Sequence, residues 1–270
     1  SSAYRALTRV SVKTKSGELV YPGRSPGFES GWRIPTPGAP LNPVFADMPR
    51  FIGRQDANWD PMTFELEKDL ALALKNAGYV EANDPDLKKF KARGGKLLLY
   101  HGWADPGPAP ENTVNYYEAV NKKLGGKQDD WMRLFLMPGV AHCGGGVGPD
   151  QADFLGALDQ WREKGVAPSQ INASRPAGRG GATPMSRPLC PFPQVPRYKG
   201  SGSSNDVASF SCAALAVVIC ARALKRVSPG SLPAVRHSPS SAGCCAQVAN
   251  ESRTPRNSGA QDLNFISTDD

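Results

Sequence analysis

The stretch Gly94-Gly-Lys-Leu-Leu-Leu-Tyr-His-Gly-Trp-Ala-Asp105 decides how the chain is read, together with Pro138-Gly-Val-Ala-His-Cys-Gly-Gly-Gly146 further on. Lys96-Leu-Leu-Leu-Tyr100 is a short apolar run after a glycine pair, and Met132-Arg-Leu-Phe-Leu-Met137 is a second that stops at a Pro-Gly turn. Both are expected to be strands of a buried sheet. Between them, the segment from Glu111 to Leu124 places Val114, Tyr117, Val120 and Leu124 at helical spacing, with Asn112 or Thr113 as N-cap and Gly125 as the stop. The spacing predicts a strand, helix, strand unit. Beyond it, Pro149 to Lys164 puts Phe154, Leu155, Leu158 and Trp161 on one face and ends at Gly165, which predicts a second helix laid over the sheet. Active groups of open α/β sheets sit beyond the carboxyl ends of their strands, and Asp105 and His142 each follow a predicted strand there.

A carboxylate and an imidazole in that order are two members of an acyl-transfer triad. Such chemistry needs a hydroxyl nucleophile, an imidazole that takes its proton and returns it to the leaving group, and a carboxylate that fixes the imidazole in one tautomer. In α/β-hydrolases the chain order is Ser, then Asp or Glu, then His. Asp105 and His142 fit the last two places, and the serine is expected upstream of Ser1. Ordinary loop residues also produce such a pair. What tilts the reading is Gly144-Gly-Gly146, since three glycines after a loop histidine point to close backbone packing or turns at positive φ. A Cys143 nucleophile served by His142 is disfavoured because adjacent side chains diverge. A zinc site would lack two further ligands at recognisable spacing.

Four segments carry a likeness to a known family: His101-Gly-Trp-Ala-Asp-Pro106, the Pro138 to Gly146 loop, Arg187-Pro-Leu-Cys-Pro-Phe-Pro-Gln-Val-Pro-Arg-Tyr-Lys-Gly200, and Asn205-Asp206 before Cys212. Together they resemble the C-terminal part of the tannase and feruloyl esterase family, from about Tyr21 to Cys212. The resemblance implies an α/β fold: the C-terminal part of an α/β-hydrolase sheet, with part of a lid domain and a disordered C-terminal tail. It implies a serine carboxylic ester hydrolase of aromatic acid esters, such as feruloyl or galloyl esters, with Asp105 as triad acid and His142 as base. The family nucleophile lies in a Cys-Ser pair followed by Gly-Gly, a segment this sequence lacks, and the family oxyanion hole is also upstream. The chain alone is therefore expected to be inactive.

The cysteines follow from the same resemblance. The family joins the cysteine beside its catalytic histidine to the one beside its serine, so Cys143 is expected to be unpaired unless a tail cysteine reaches it. Cys190 and Cys212 fall in the family's closing loop, where a disulfide is implied; two free surface cysteines is the alternative. A disulfide implies an oxidising compartment, and the family is secreted or periplasmic. No signal peptide is visible at Ser1.

Residues 1–90 lack strand and helix alternation and are expected to be a partial lid domain, with a helix from about Met62 to Asn76. Trp32, Arg33, Phe51 and Trp59 are candidates to line an aromatic acid pocket, with packing inside the lid as the competing role for each. The family's lid calcium loop is expected upstream, so no cofactor and no metal site are expected here. Asp84-Pro-Asp86 and Asp129-Asp130 read as helix-start and surface residues. Residues 91–212 are expected to form the C-terminal part of the catalytic domain. Residues 213–270 read as a disordered tail unrelated to the family: the segment from Ala213 to Leu224 is too short to span a membrane, and Phe265 is the only aromatic residue after it.

Composition fits this division. The 28 glycines and 25 prolines among 270 residues, with 40% hydrophobic content, leave much of the chain as loop. The net charge of +7 is dispersed, and its one dense cluster, Lys88, Lys89, Lys91 and Arg93, reads as a solvated helix face. With no phosphate loop, finger spacing or aromatic platform, neither nucleic acid nor membrane is an expected partner, while a small aromatic ester is. The sequence sets no oligomeric state. The alternative function is a catalytically inactive fragment, or a non-enzymatic polypeptide that binds an aromatic acid. Half a sheet would also leave an apolar edge prone to aggregation.

Overall fold

The computed structural model describes residues 10–24, 46–178 and 183–214. Strands β1 (Val12–Lys13) and β2 (Leu19–Tyr21) form a small antiparallel pair. A π-helical segment, Met48–Arg54, packs on helix α1 (Leu66–Ala77), and buried Asp69 closes that contact by accepting from the Arg54 guanidinium and the Glu65 N–H. Helix α1 starts later than the predicted Met62. Asp60 accepts from the Met62 N–H and so caps a separate short turn, Pro61–Thr63.

Helix α2 (Lys88–Ala92) leads into strand β3 (Leu97–Gly102), helix α3 (Pro110–Lys123) and strand β4 (Met132–Met137). β3 and β4 pair in parallel, from Leu97 opposite Met132 to Gly102 opposite Met137. This is the strand, helix, strand unit that the apolar runs predict. Because side chains alternate along a strand, each strand serves two cores. Leu97, Leu99, Met132 and Leu134 face Tyr117 and Val120 of α3. Leu98, Phe135 and Met137 face the opposite way. There they meet strand β5 (Gln151–Ala152), helix α4 (Phe154–Lys164), and strands β6 (Ile171–Arg175) and β7 (Met185–Leu189). Met132, Leu134 and Phe135 are fully buried, worth about 1.5–3 kcal/mol each against exposure.

Two further helix starts differ from expectation. α3 begins at Pro110, with Ala109 preceding it and no side-chain cap from Asn112 or Thr113; proline at the first helical position gives up an N–H that the helix does not use. α4 begins at Phe154 because Asp153 accepts from the Gly156 N–H (2.8 Å), while Gln151–Ala152 pairs antiparallel with β6. The apolar face of α4 is also narrower than the sequence predicts. Trp161 is fully buried and Phe154 packs on the core, but Leu155 is 71% exposed.

Strands β8 (Gln194–Tyr198) and β9 (Phe210–Ala214) form an antiparallel pair, and the Cys190–Cys212 disulfide joins the segment before β8 to β9. Ala213 and Ala214 thus belong to a strand; the remainder of the expected tail, residues 215–270, lies outside the described residues. The outer edge of β4 is closed by Pro191, bridged to Phe135, and by the Phe192 N–H donating to the Leu134 carbonyl (2.8 Å). Among the described residues no strand pairs with the other edge of β3.

The basic cluster and the paired aspartates have partners. Lys91 donates to Gln128 Oε1 (2.7 Å) and stands over the Trp131 ring, so it is not merely solvated. Asp86 accepts from the Lys88 N–H (3.4 Å) at the start of α2, as a helix-start residue does. Asp129 accepts from the Tyr117 hydroxyl (3.1 Å), and burial, reinforced by the Asp129 charge, pushes the Tyr117 phenol above its ordinary value of 10.0.

Candidate active site

β3 and β4 end side by side, so the turns that follow them touch. The Trp103 N–H donates to the Met137 carbonyl and the Ala104 N–H to the Val140 carbonyl, both at 2.9 Å. Gly102 stands at the point of contact. A Cβ there would overlap the carbonyl oxygens of Val140 and Ala141, so only glycine lets the two turns approach this closely. The approach brings His142 Nδ1 to 2.8 Å from Asp105 Oδ2.

The two partners sit in different surroundings. The Asp105 side chain is 4% exposed; its Oδ1 accepts from the Gly107 N–H (2.7 Å), and its Oδ2 faces His101 Nε2 (3.3 Å) as well as His142. The His142 side chain is 60% exposed. An ionised carboxylate only accepts, so the proton of neutral His142 belongs on Nδ1, which leaves Nε2 as a base for an incoming proton.

The His142 loop is built from backbone. Gly144, Gly145 and Gly146 all have positive φ (148°, 72° and 87°), as the three glycines led one to expect, and Cys143 is a non-glycine residue at φ 58°. The Ala141 N–H donates to the Gly145 carbonyl (3.1 Å), the Gly148 N–H to the Gly139 carbonyl (3.0 Å), and the Gly145 N–H to Asp150 Oδ2 (2.7 Å). At Gly146 a side chain would strike the backbone of Gly139.

His142, Asp105 and His101 open onto a cleft of about 390 Å³ whose wall includes Tyr100, Phe154 and Asp150. The Tyr100 and Phe154 rings stack at 3.9 Å. None of the described residues lining the cleft is a serine. A smaller apolar pocket of about 40 Å³, between Trp103, Pro188 and Phe192, has no ionisable side chain on its wall and offers no acid or base.

The structure thus brings Asp105 and His142 together and joins Cys190 to Cys212, with Cys143 an exposed free thiol. Trp59 does not line the cleft: it is buried beneath the Arg54 guanidinium, 5.2 Å from the ring. Phe51 is 53% exposed beside Arg50. Trp32 and Arg33 lie outside the described residues. Sequence reasoning missed Gly102, His101, Thr113 and Asp150. Strand parity was the available signal for His101, which shares the helix-facing side of β3 with Leu97 and Leu99. Among the described residues no three His, Cys, Asp or Glu side chains are grouped to hold a metal ion, and no helix is long and apolar enough to cross a membrane.

Comparison with known proteins gives one consistent picture. The sequence profile described as tannase and feruloyl esterase matches residues 16–213. A mono(2-hydroxyethyl) terephthalate hydrolase of Piscinibacter sakaiensis is 40% identical over 197 residues, covering 71% of this chain and 32% of that protein. A probable feruloyl esterase of Arthroderma benhamiae is 39% identical over 174 residues, covering 63% of this chain and 29% of the relative. The crystal structure of an esterase from Aspergillus oryzae matches with a TM-score of 0.67 at 30% identity, over 78% of this chain and 45% of that one. The structural neighbours are esterases of the α/β-hydrolase type, which fixes the fold class. The chain spans about a third of the length of these two curated relatives.

Proposed function

The chain belongs to the tannase and feruloyl esterase family, and on that premise we propose that it supplies the acid and the base of a serine carboxylic ester hydrolase acting on aromatic acid esters, such as feruloyl or galloyl esters. The observation that carries the reading is the 2.8 Å contact between His142 Nδ1 and buried Asp105 at the ends of two parallel strands. His142 Nε2 takes the proton of a serine hydroxyl as that oxygen attacks the ester carbonyl, Asp105 stabilises the resulting imidazolium, and the proton passes to the departing alcohol. Water then repeats the sequence on the acyl-enzyme. The serine and the oxyanion hole come from a segment of the whole protein outside these 270 residues, consistent with a cleft whose described wall holds no serine.

Other features support the finer reading. The stacked Tyr100 and Phe154 rings give the cleft an aromatic wall suited to an aromatic acyl group. Residues 1–90 belong to a lid and 91–212 to the catalytic domain; Trp32 and Arg33 are the acyl-binding candidates, while the burial of Trp59 under Arg54 favours packing. The Cys190–Cys212 disulfide supports an oxidising, secreted or periplasmic setting.

Hydrolysis of methyl ferulate and methyl gallate, followed for the 270-residue chain and for the whole protein, tests the proposal. Turnover is expected from the whole protein and only background from the chain. Activity of the chain alone that disappears in His142→Ala would show a nucleophile within it and overturn the reading.

A further inference from the structure

Asp105 Oδ2 is shared by two imidazoles, and only one of them belongs to the acid and base pair. The other, His101, occupies β3 three positions before the close contact of Trp103 and Ala104 with the His142 loop is complete, and its parity turns it toward α3. There its Nδ1 lies 2.7 Å from the Thr113 hydroxyl of α3, while its Nε2 lies 3.3 Å from Asp105 Oδ2. The side chain is 16% exposed, against 60% for His142. Each donor and acceptor in this chain is assigned by elimination. The carboxylate accepts only, so His101 carries its proton on Nε2; the neutral ring then accepts at Nδ1, and the Thr113 hydroxyl donates.

We propose that His101, oriented by Thr113, is a positioning residue that holds Asp105 Oδ2 toward His142, an inference that rests on the esterase reading for its effect on turnover but not for its geometry. Without His101 the carboxylate keeps only the Gly107 N–H on Oδ1 and His142 on Oδ2, and nothing ties it to α3. Thr113 explains its own place in the sequence by this role: it stands inside α3 rather than at the cap, and its hydroxyl is spent on His101. His101 does not act on substrate in this scheme. It works through Asp105, as outer hydrogen-bond partners do in other sites where they tune a group by about 10- to 100-fold.

The test reads ring-nitrogen protonation by nuclear magnetic resonance in the 270-residue chain, which has three histidines, with His237→Gln used to remove the third signal. At alkaline pH, His101 is expected to carry its proton on Nε2 and His142 on Nδ1, the latter giving a downfield hydrogen-bonded proton signal. His101→Phe should move or broaden that His142 signal, His101→Gln should restore it by keeping a donor near the Nε2 position, and Thr113→Val, which leaves Nδ1 without its partner, should broaden the His142 signal less than His101→Phe while the His101 proton stays on Nε2. A His101 proton on Nδ1, or a His142 signal indifferent to His101→Phe, overturns the inference. Absence of the His142 Nδ1 proton in the unsubstituted chain instead removes the acid and base pair itself, so the two failures are told apart. In the whole enzyme, His101→Leu should lower kcat about 10- to 100-fold with KM little changed, and His101→Gln should recover most of it.

Discussion

The Asp105 turn and the His142 loop meet at a hydrogen bond, yet opposite means hold them in place. Asp105 is buried and anchored through its own side chain, with donors from Gly107, His101 and His142. His142 is exposed, and its position comes from backbone: glycines at positive φ, carbonyls that accept from Gly148 and Ala104, and the close passage over Gly102. In the proposed mechanism Asp105 has to keep a fixed charge beside the imidazole, and His142 has to reach the substrate. The acid side should therefore fail when its chemistry changes, and the base side when its backbone is pushed.

Replacing the charge is the largest perturbation. On the proposed function, Asp105→Asn in the whole protein should lower kcat by about 10⁴-fold while the circular dichroism spectrum stays native, because an amide holds His142 in the wrong tautomer. Gly102→Ala pushes the two turns apart instead. Its methyl overlaps the Val140 and Ala141 carbonyls, and a shift of about 1 Å at a catalytic group costs on the order of 10²-fold in kcat/KM. Asp150→Ala removes the acceptor of the Gly145 N–H at an exposed place, so steady-state kinetics should show a roughly threefold to tenfold loss, the equivalent of about 1 kcal/mol for one hydrogen bond. Smallest of all is Cys143→Gly in the 270-residue chain. Relief of a left-handed residue is offset by glycine's greater freedom when unfolded, so the urea midpoint should correspond to a stability change of about 0.5 kcal/mol or less. Reversal of the order, with Asp150→Ala costing more than Asp105→Asn, would break the contrast between the two sides.

The same contrast governs what could be read in advance. β4 was legible to the residue because it is buried on both faces, and Met132 to Met137 forms one apolar run interrupted only by Arg133. Asp105 and His142 were legible because they follow such runs. The α4 face differs at Leu155 because successive residues stand about 100° apart around a helix, so Phe154 and Trp161 can turn to the core while Leu155 faces solvent. β5 left no local trace: two residues become a strand only by pairing with β6, a partner about twenty residues away. The motif discloses no role for His101, because hydrogen bonds to α3 depend on how a helix sits over a strand, and periodicity gives the facing side but not the partner. Gly102 was hidden for a related reason, since a close approach by a distant loop leaves no mark on neighbouring residues.

A crystal structure of the whole protein would test the central claim most directly, through the distance from His142 Nε2 to the nearest hydroxyl. The account predicts a serine Oγ within hydrogen-bond reach, about 2.6–3.2 Å, while Nδ1 remains on Asp105. An Nε2 turned away from every serine, or a His142 ring detached from Asp105, would contradict it.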